Sequence, residues 1–471
     1  MERFPLTYIP YQWSWLLKDI IAGLTLLTVL IPQSMAYAAL ADLSPVIGLY
    51  SSLAVLPFAI FASNDTCTVG PFTVTQILMK SLRPIYLGSL IGGFMQILIS
   101  PFSNLISIWL LPGTFMSGFT TGCAFLIVAA QVDDFFGISL VKPTQFTVVL
   151  KVIDIFYKIQ TTHILTFLVS MSSLIVIYLL KKLNVYLKSK PKFSKIWIPD
   201  VFIVCLIATL LSYFLNFSKH GIRTVGPIPK GFPDLFVPWK DVDFSASTIG
   251  SLIVETLPVA IVSSSITLSV LTQYTTPNTS LKRDMFLLGT SSILISFFQG
   301  FMATGSLTRA ALQKEVGAKT QISNIVMSIL LILVLISISP IFENVPMASL
   351  AAIVMLAARS LLLQIHKIGW PLLLSVYNLH KQTYGDIELN QDCVQSESPV
   401  ASNDQIETSS EEITSTATLI ARYEHHPYIQ ALYFWFPCFG IFFFNVQYTL
   451  AASVSLIILW KLIYAVRLKY L

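Results

Sequence analysis

From Ile20 to Ala41, and again from Leu43 to Asn64, the chain carries no charged side chain. Each run is long enough, at about 1.5 Å per residue, to cross about 30 Å of hydrocarbon as a helix. That confines the fold, because hydrocarbon offers no hydrogen bonds and every backbone polar group must be satisfied within the protein. The same stretch holds residues that a plain anchor does not need: Pro32-Gln33-Ser34, Pro45 and Gly48, then Thr66, Thr68, Gly70 and Pro71. Such residues are costly in an apolar solvent unless they line a protein-enclosed cavity. The opening therefore predicts a lined interior, not an anchor.

The composition extends this to the whole chain. Of 471 residues 55% are hydrophobic and only 11% charged, against about 25% charged in soluble domains. The opening "MERFPLTYIPYQWSWLLKD" has no short apolar core with a small-residue cleavage site, so it is not a cleavable signal. A net charge of +5 fits cytoplasmic loops rich in Lys and Arg and makes no case for a nucleic-acid partner. Cys67, Cys123, Cys205, Cys393 and Cys438 are scattered without a C-x-x-C and read as buried thiols. The six histidines lack metal-ligand spacing. No cofactor or metal is expected. Nor is an enzyme, because no paired acids or nucleophile–base set falls within a span or loop.

Cut at turn residues, the uncharged runs give fourteen segments: 20–38, 46–62, 71–82, 86–106, 112–132, 162–180, 199–217, 249–272, 285–301, 307–316, 320–340, 346–364, 430–444 and 447–465. The stretch 84–132 must hold two of them, turning at Pro101 or at Leu111-Pro112-Gly113. The third and tenth are too short to cross. Short segments at matching places in two halves predict an inverted repeat of seven plus seven spans, with broken helices at the midplane. The expected fold class is an all-α polytopic membrane protein.

Lys and Arg set the orientation. With the N-terminus inside, 181–195, Lys282-Arg283, Lys314 and the tail with Lys461, Arg467 and Lys469 all fall in the cytoplasm. Residues 1–18 are then a cytoplasmic N-terminal segment, 19–217 the first repeat and 218–248 an outer loop. The second repeat spans 249–466, and 467–471 is a short cytoplasmic tail, so both termini are cytoplasmic. Asn216-Phe217-Ser218 is a span-hugging glycosylation sequence. Within the second repeat, 376–425 is acidic and rich in Ser and Thr, and is expected to be a disordered cytoplasmic loop. The membrane is expected to be the plasma membrane, or an intracellular one.

Four segments carry a resemblance: "DIIAGLTLLTVLIPQSMAYAALADLSPVIGLYSS" from residue 19, "TVGPFTVTQIL" (68–78), "LPVAIVSSSITLSVLTQ" (257–273) and "ATGSLTRAALQKEVGAKTQISNIV" (303–326). In this order they resemble the SulP family of anion permeases, also called solute carrier family 26. The resemblance covers residues 19 to 365, and 430 to 466 more weakly. It implies a core domain of spans 1–4 and 8–11, a gate domain of spans 5–7 and 12–14, and a homodimer that moves anions by an elevator-like displacement of the core. Family members usually carry a STAS domain after the last span. The chain here is expected to lack it, which puts that part of the dimer interface in doubt.

The residues themselves point to an anion. Gly70-Pro71 can open one half-helix and Gly305-Ser306-Leu307-Thr308 the other, with Ser or Thr as cap. Two helix N-termini facing each other present free N–H groups and positive dipole ends. Arg309 adds a formal charge, which costs about 2.5–3.5 kcal/mol mid-membrane unless it is paired or faces water. Its alternative is a structural arginine bonded to neighbouring carbonyls. The resemblance adds Gln33 and Tyr37, one turn apart on span 1, Phe72 as the aromatic flanking the anion, and Ser306 and Thr308 as tenth-span hydroxyls. It also implies a notable absence. Many members have a carboxylate in span 8 linked to proton or sodium coupling, where this chain has Ile266 within "SSSITLS". Glu255 lies about 16 Å away along a helix and does not replace it.

The leading expectation is a secondary transporter of sulfate or related anions such as chloride, bicarbonate or oxalate. The alternatives are a nucleobase or ascorbate carrier of the same architecture, separable by competition of uptake with sulfate or uracil, and a non-transporting sensor or voltage-driven motor.

Overall fold

A computed structural model of the chain describes residues 2–3, 10–79, 85–103, 113–138, 148–190, 198–228, 231, 233–239, 245–274, 279–337, 339–377, 427–443, 449, 452–457 and 459. Strands β1 (Glu2–Arg3) and β2 (Pro10–Tyr11) pair ahead of α1 (Leu16–Leu40), α2 (Pro45–Ser52) and α3 (Val55–Phe61). Strand β3 (Val69–Gly70) leads into α4 (Thr73–Met79), followed by α5 (Ile85–Ile99), α6 (Gly113–Phe136), α7 (Val148–Lys158), α8 (Ile164–Ser189) and α9 (Asp200–Leu215). The second half runs α10 (Ala246–Gln273), α11 (Leu281–Ser296), β4 (Thr304–Gly305), α12 (Leu307–Val316), α13 (Ile322–Ser337), α14 (Met347–Gln364) and α15 (Pro427–Phe443).

Among the described residues, six helices are long and apolar enough to cross a membrane. Three shorter apolar stretches accompany them: Pro45–Phe61, Asp200–Leu215 and Ile322–Ser337. The chain is an integral, multi-pass membrane protein. Its surface agrees: Ile164, Leu168, Ile175 and Leu179 on α8, and Phe94 and Leu98 on α5, are exposed apolar side chains that only hydrocarbon would cover favourably.

Several elements depart from the sequence reading. α1 does not: it runs through Pro32 without a break, as the single segment 20–38 expects, since neighbours can re-satisfy the freed backbone of a membrane helix. The segment 46–62 is instead two helices, interrupted at Leu53 and Ala54. Pro57 explains this, since it has no N–H for the Leu53 carbonyl and its ring crowds that oxygen. The basic stretch 181–195 is helical as far as Ser189, where α8 ends. α14 is prolonged by a π turn at Ile365–Gly369, and the helix reaches Tyr377. α7 had no counterpart in the sequence reading, because its charges interrupt the uncharged runs. The short segment 307–316 coincides with α12. Most of 376–425, most of 447–465 and all of 467–471 lie outside the described residues.

The packing is reciprocal between the halves. α1 packs on α13 as α10 packs on α5, α3 meets α13 as α11 meets α5, and α1 touches α12 as α10 touches α4. α8 against α14 is matched by α15 against α6. At the centre β3 and β4 pair antiparallel, Val69 with Gly305 and Gly70 with Thr304. This pairing brings the entrances of α4 and α12 together.

Candidate functional site

Each of the two crossing strands is only two residues long, so its hold comes from its surroundings. Gly70 has φ +141°, a region that glycine alone enters without strain. Gly305 is pressed against α10, where an added Cβ would lie 2.9 Å from the Thr267 Cα. Its N–H donates to Thr267 Oγ1 at 2.8 Å, and the Ser306 N–H extends the ladder to the Thr68 carbonyl at 2.9 Å. Ser306 caps α12: its Oγ accepts the Arg309 N–H at 3.5 Å and lies 3.2 Å from the Thr308 hydroxyl.

Among the described residues Arg309 is the largest fully buried side chain, at 1% exposure. Nη1 donates to the Pro71 carbonyl at 3.0 Å, at the joint between β3 and α4. Nε and Nη2 are buried with no partner, and no carboxylate pairs with the guanidinium among the described residues. The structural alternative for Arg309 is thus met by one carbonyl out of five available donors. A Cβ on Gly70 would come within 3.3 Å of Nη2, so glycine keeps the space in front of the guanidinium open.

Tyr37 is buried, beside the Thr73 side chain and within electrostatic reach of Arg309. Phe72 is buried at the mouth of α4, its carbonyl accepting from Gln76 N at 3.1 Å and Thr75 Oγ1 at 2.8 Å. Gln33, one turn from Tyr37 on α1, is buried with Oε1 unpartnered. Thr308 is exposed, unlike its neighbours Ser306 and Arg309. The structure therefore brings Tyr37, the Phe72 joint, Ser306 and Arg309 together. Thr308 joins through Ser306, and Gln33 stands one turn along α1.

Two polar clamps went unread in the sequence. Ahead of β3, the Thr68 hydroxyl lies 3.0 Å from both Gln313 Oε1 and Asn324 Oδ1. Gln321 Nε2 donates to the Asn64 and Cys67 carbonyls at 2.7 and 2.9 Å. Ahead of β4, Gln96 Nε2 donates to Ser263 Oγ at 2.7 Å and to the Ala303 carbonyl at 3.2 Å, while Ser292 Oγ accepts the Ala303 N–H at 3.0 Å. The lead-in to β3 is gripped by amides of the second half, and the lead-in to β4 by an amide of the first half together with hydroxyls of the second. The available signal was the presence of amides inside otherwise apolar spans, which must find partners.

Two buried acids brace the periphery. Asp19 accepts from the Lys319 N–H at 2.7 Å and the Thr320 hydroxyl at 2.8 Å. Asp284 accepts from the Ser63 N–H at 2.7 Å and the Asn64 N–H at 3.1 Å. They tie the start of α1 to the loop after α12, and the start of α11 to the segment before β3.

A multi-span helical bundle interrupted by two half-helices, their entrances crossed over an under-partnered arginine, defines a class of polytopic membrane protein. Residues 16–379 match the profile of the sulfate permease family, and the chain belongs to that family. It is similar to prestin of Danio rerio, at 28% identity over 393 residues, covering 74% of this chain and 51% of that protein. It is likewise similar to probable sulfate transporter 3.5 of Arabidopsis thaliana, at 28% identity over 383 residues, covering 75% of this chain and 57% of that one. The chain spans about half the length of these curated relatives. In fold it resembles the murine solute carrier 26 family member A9 anion transporter in the inward-facing state, with a TM-score of 0.74, 18% identity, and coverage of 97% of this chain and 70% of that one.

Proposed function

We propose that the protein is a secondary transporter of small anions, sulfate or a relative of it, which binds between α4 and α12. The observation that carries this reading is the buried Arg309, with Nε and Nη2 unpartnered beside the capped entrance of α12. A desolvated cation with empty donors is complemented by an anion, and both helix entrances add N–H groups and positive dipole ends. Tyr37, Phe72, Ser306 and Thr308 wall the site, and Gln33 contributes its amide. Family membership and the names of the transporter relatives support the same substrate class.

The architecture in this reading is a seven-plus-seven inverted repeat. Its support is the reciprocal packing: the four pairs of contacts between the halves described above match when the spans are renumbered by seven. The core domain comprises α1 to α5 and α10 to α13, and the gate domain comprises α6, α8, α9, α14 and α15. The core carries the anion by an elevator-type displacement, two copies associate as a homodimer, and both termini face the cytoplasm of a plasma-membrane protein. The test is flux in proteoliposomes with labelled sulfate, chloride and bicarbonate. Saturable uptake of at least one, competed by the others and not by uracil, is the expected result. Uptake of uracil without anion uptake overturns it.

A further inference from the structure

The break between α2 and α3 opens an apolar cavity of about 230 Å³, lined by residues that include Leu53, Ala54, Pro57, Ile60, Leu294 and Ile332. Three helices meet there: α3, α11 and α13. No lining residue is polar. The neighbouring surface, with Phe61, Leu333 and Ile336, is exposed and apolar, so the cavity opens onto the same face that hydrocarbon covers. A void lined by aliphatic side chains does not hold water, and left empty it forfeits dispersion contacts on every wall.

We propose that this groove binds one acyl chain of a bilayer lipid, and that the chain braces the entrances of both half-helices. The bracing follows from what the broken turn touches on its other side. Ser51 Oγ accepts the Phe301 N–H at 3.0 Å, holding the lead-in to β4. Val55 Cγ2 and the Ser52 Cα lie 3.7 and 4.0 Å from the Cβ position of Gly70, in front of Arg309. Leu53 and Ala54, which line the groove, stand in the chain between the two residues that approach Gly70. A chain in the groove fixes α3 against α11 and α13. An empty groove lets α3 move into it and withdraw Val55 from Gly70. The coupling to anion affinity rests on the anion reading above; the occupancy does not.

The test is a structure of the full chain in nanodiscs of dioleoyl phosphatidylcholine with brominated acyl chains, whose heavy atoms mark the hydrocarbon. Elongated, bromine-marked density between α3, α11 and α13 is expected, and a bare groove overturns the site. Two filling variants follow, Ala54→Val inside the groove and Leu294→Phe on its half-exposed rim, the second chosen because its side chain lies where folding tolerates change. Loss of that density with several-fold weaker sulfate binding by an otherwise monodisperse variant supports the bracing. Loss of density with unchanged binding overturns the bracing and leaves the lipid site standing. A parent chain that binds no anion at all counts against the transport reading, while the density still decides the groove.

Discussion

Arg309 Nη1 donates to the Pro71 carbonyl at 3.0 Å, so the arginine at the entrance of one half-helix is anchored on the joint of the other. One contact joins the two halves of the chain at the point where their helices are interrupted. Nε and Nη2 of the guanidinium remain without a partner.

Gly70→Ala is expected to damage this site locally. Its φ of +141° is costly for any L side chain, by about 1–2 kcal/mol, and the new methyl meets Nη2 at 3.3 Å. Anion affinity should fall about tenfold. Gly317→Ala, at φ +90° with nothing within 4 Å, should lose comparable stability and keep its affinity. Equal binding losses in the two variants would assign the effect to backbone strain alone.

The clamps should matter as much as the lining. Thr267→Val preserves shape but leaves the buried Gly305 N–H without its acceptor, at a cost of about 1–3 kcal/mol. The melting temperature and anion affinity should fall together. Thr272→Val, at an exposed position of the same helix, should stay within about 0.5 kcal/mol of the parent. A Thr267→Val protein as stable as Thr272→Val would remove Thr267 from the clamp.

Much of this arrangement was legible in the sequence. The uncharged runs marked most of the long apolar helices, and the segment 307–316 and the pair Gly305-Ser306 located α12 and its cap. What escaped had no sequence period. Strands of two residues carry no alternation, so the pairing of Val69 with Gly305 was invisible. The grips of Gln96 and Gln321 join residues over a hundred positions apart and depend on which helices pack together. Pro57 was different: its position four residues after Leu53 held the break in plain view, but the uninterrupted apolar run masked it. α7 was lost for the opposite reason, since Asp154 and Lys158 made an amphipathic helix look like a loop.

Asp65, in the loop between α3 and β3, gives the fold a pH dependence. Burial, then the charges of Asp19 and Asp284, push its carboxyl up to about 6 from an ordinary 3.8. The folded state thus keeps the proton that the unfolded chain releases, and stability drops as pH rises from about 4 to about 6. Asp65→Asn removes the penalty. Its melting temperature should exceed the parent's by a few degrees at pH 7.5 and match it near pH 4. A gain of equal size at both pH values would trace to hydrogen bonding instead of charge.

Ile266 occupies the position where the resemblance placed a coupling carboxylate, and it is buried in an apolar cluster with Phe72 and Val259. Anion uptake should therefore vary little with an imposed pH gradient at fixed voltage and fixed substrate protonation. A steep dependence that disappears in Glu255→Gln would show that this acid carries the coupling.

An anion held by Arg309 is tested by sulfate binding and uptake in Arg309→Ala. The purified variant, matched to the parent in surface yield and monodispersity, is compared in proteoliposomes at constant ionic strength. Sulfate binding should weaken by at least tenfold, and uptake should fall to the level of empty vesicles. A well-folded Arg309→Ala protein that binds and moves sulfate as the parent does would contradict it.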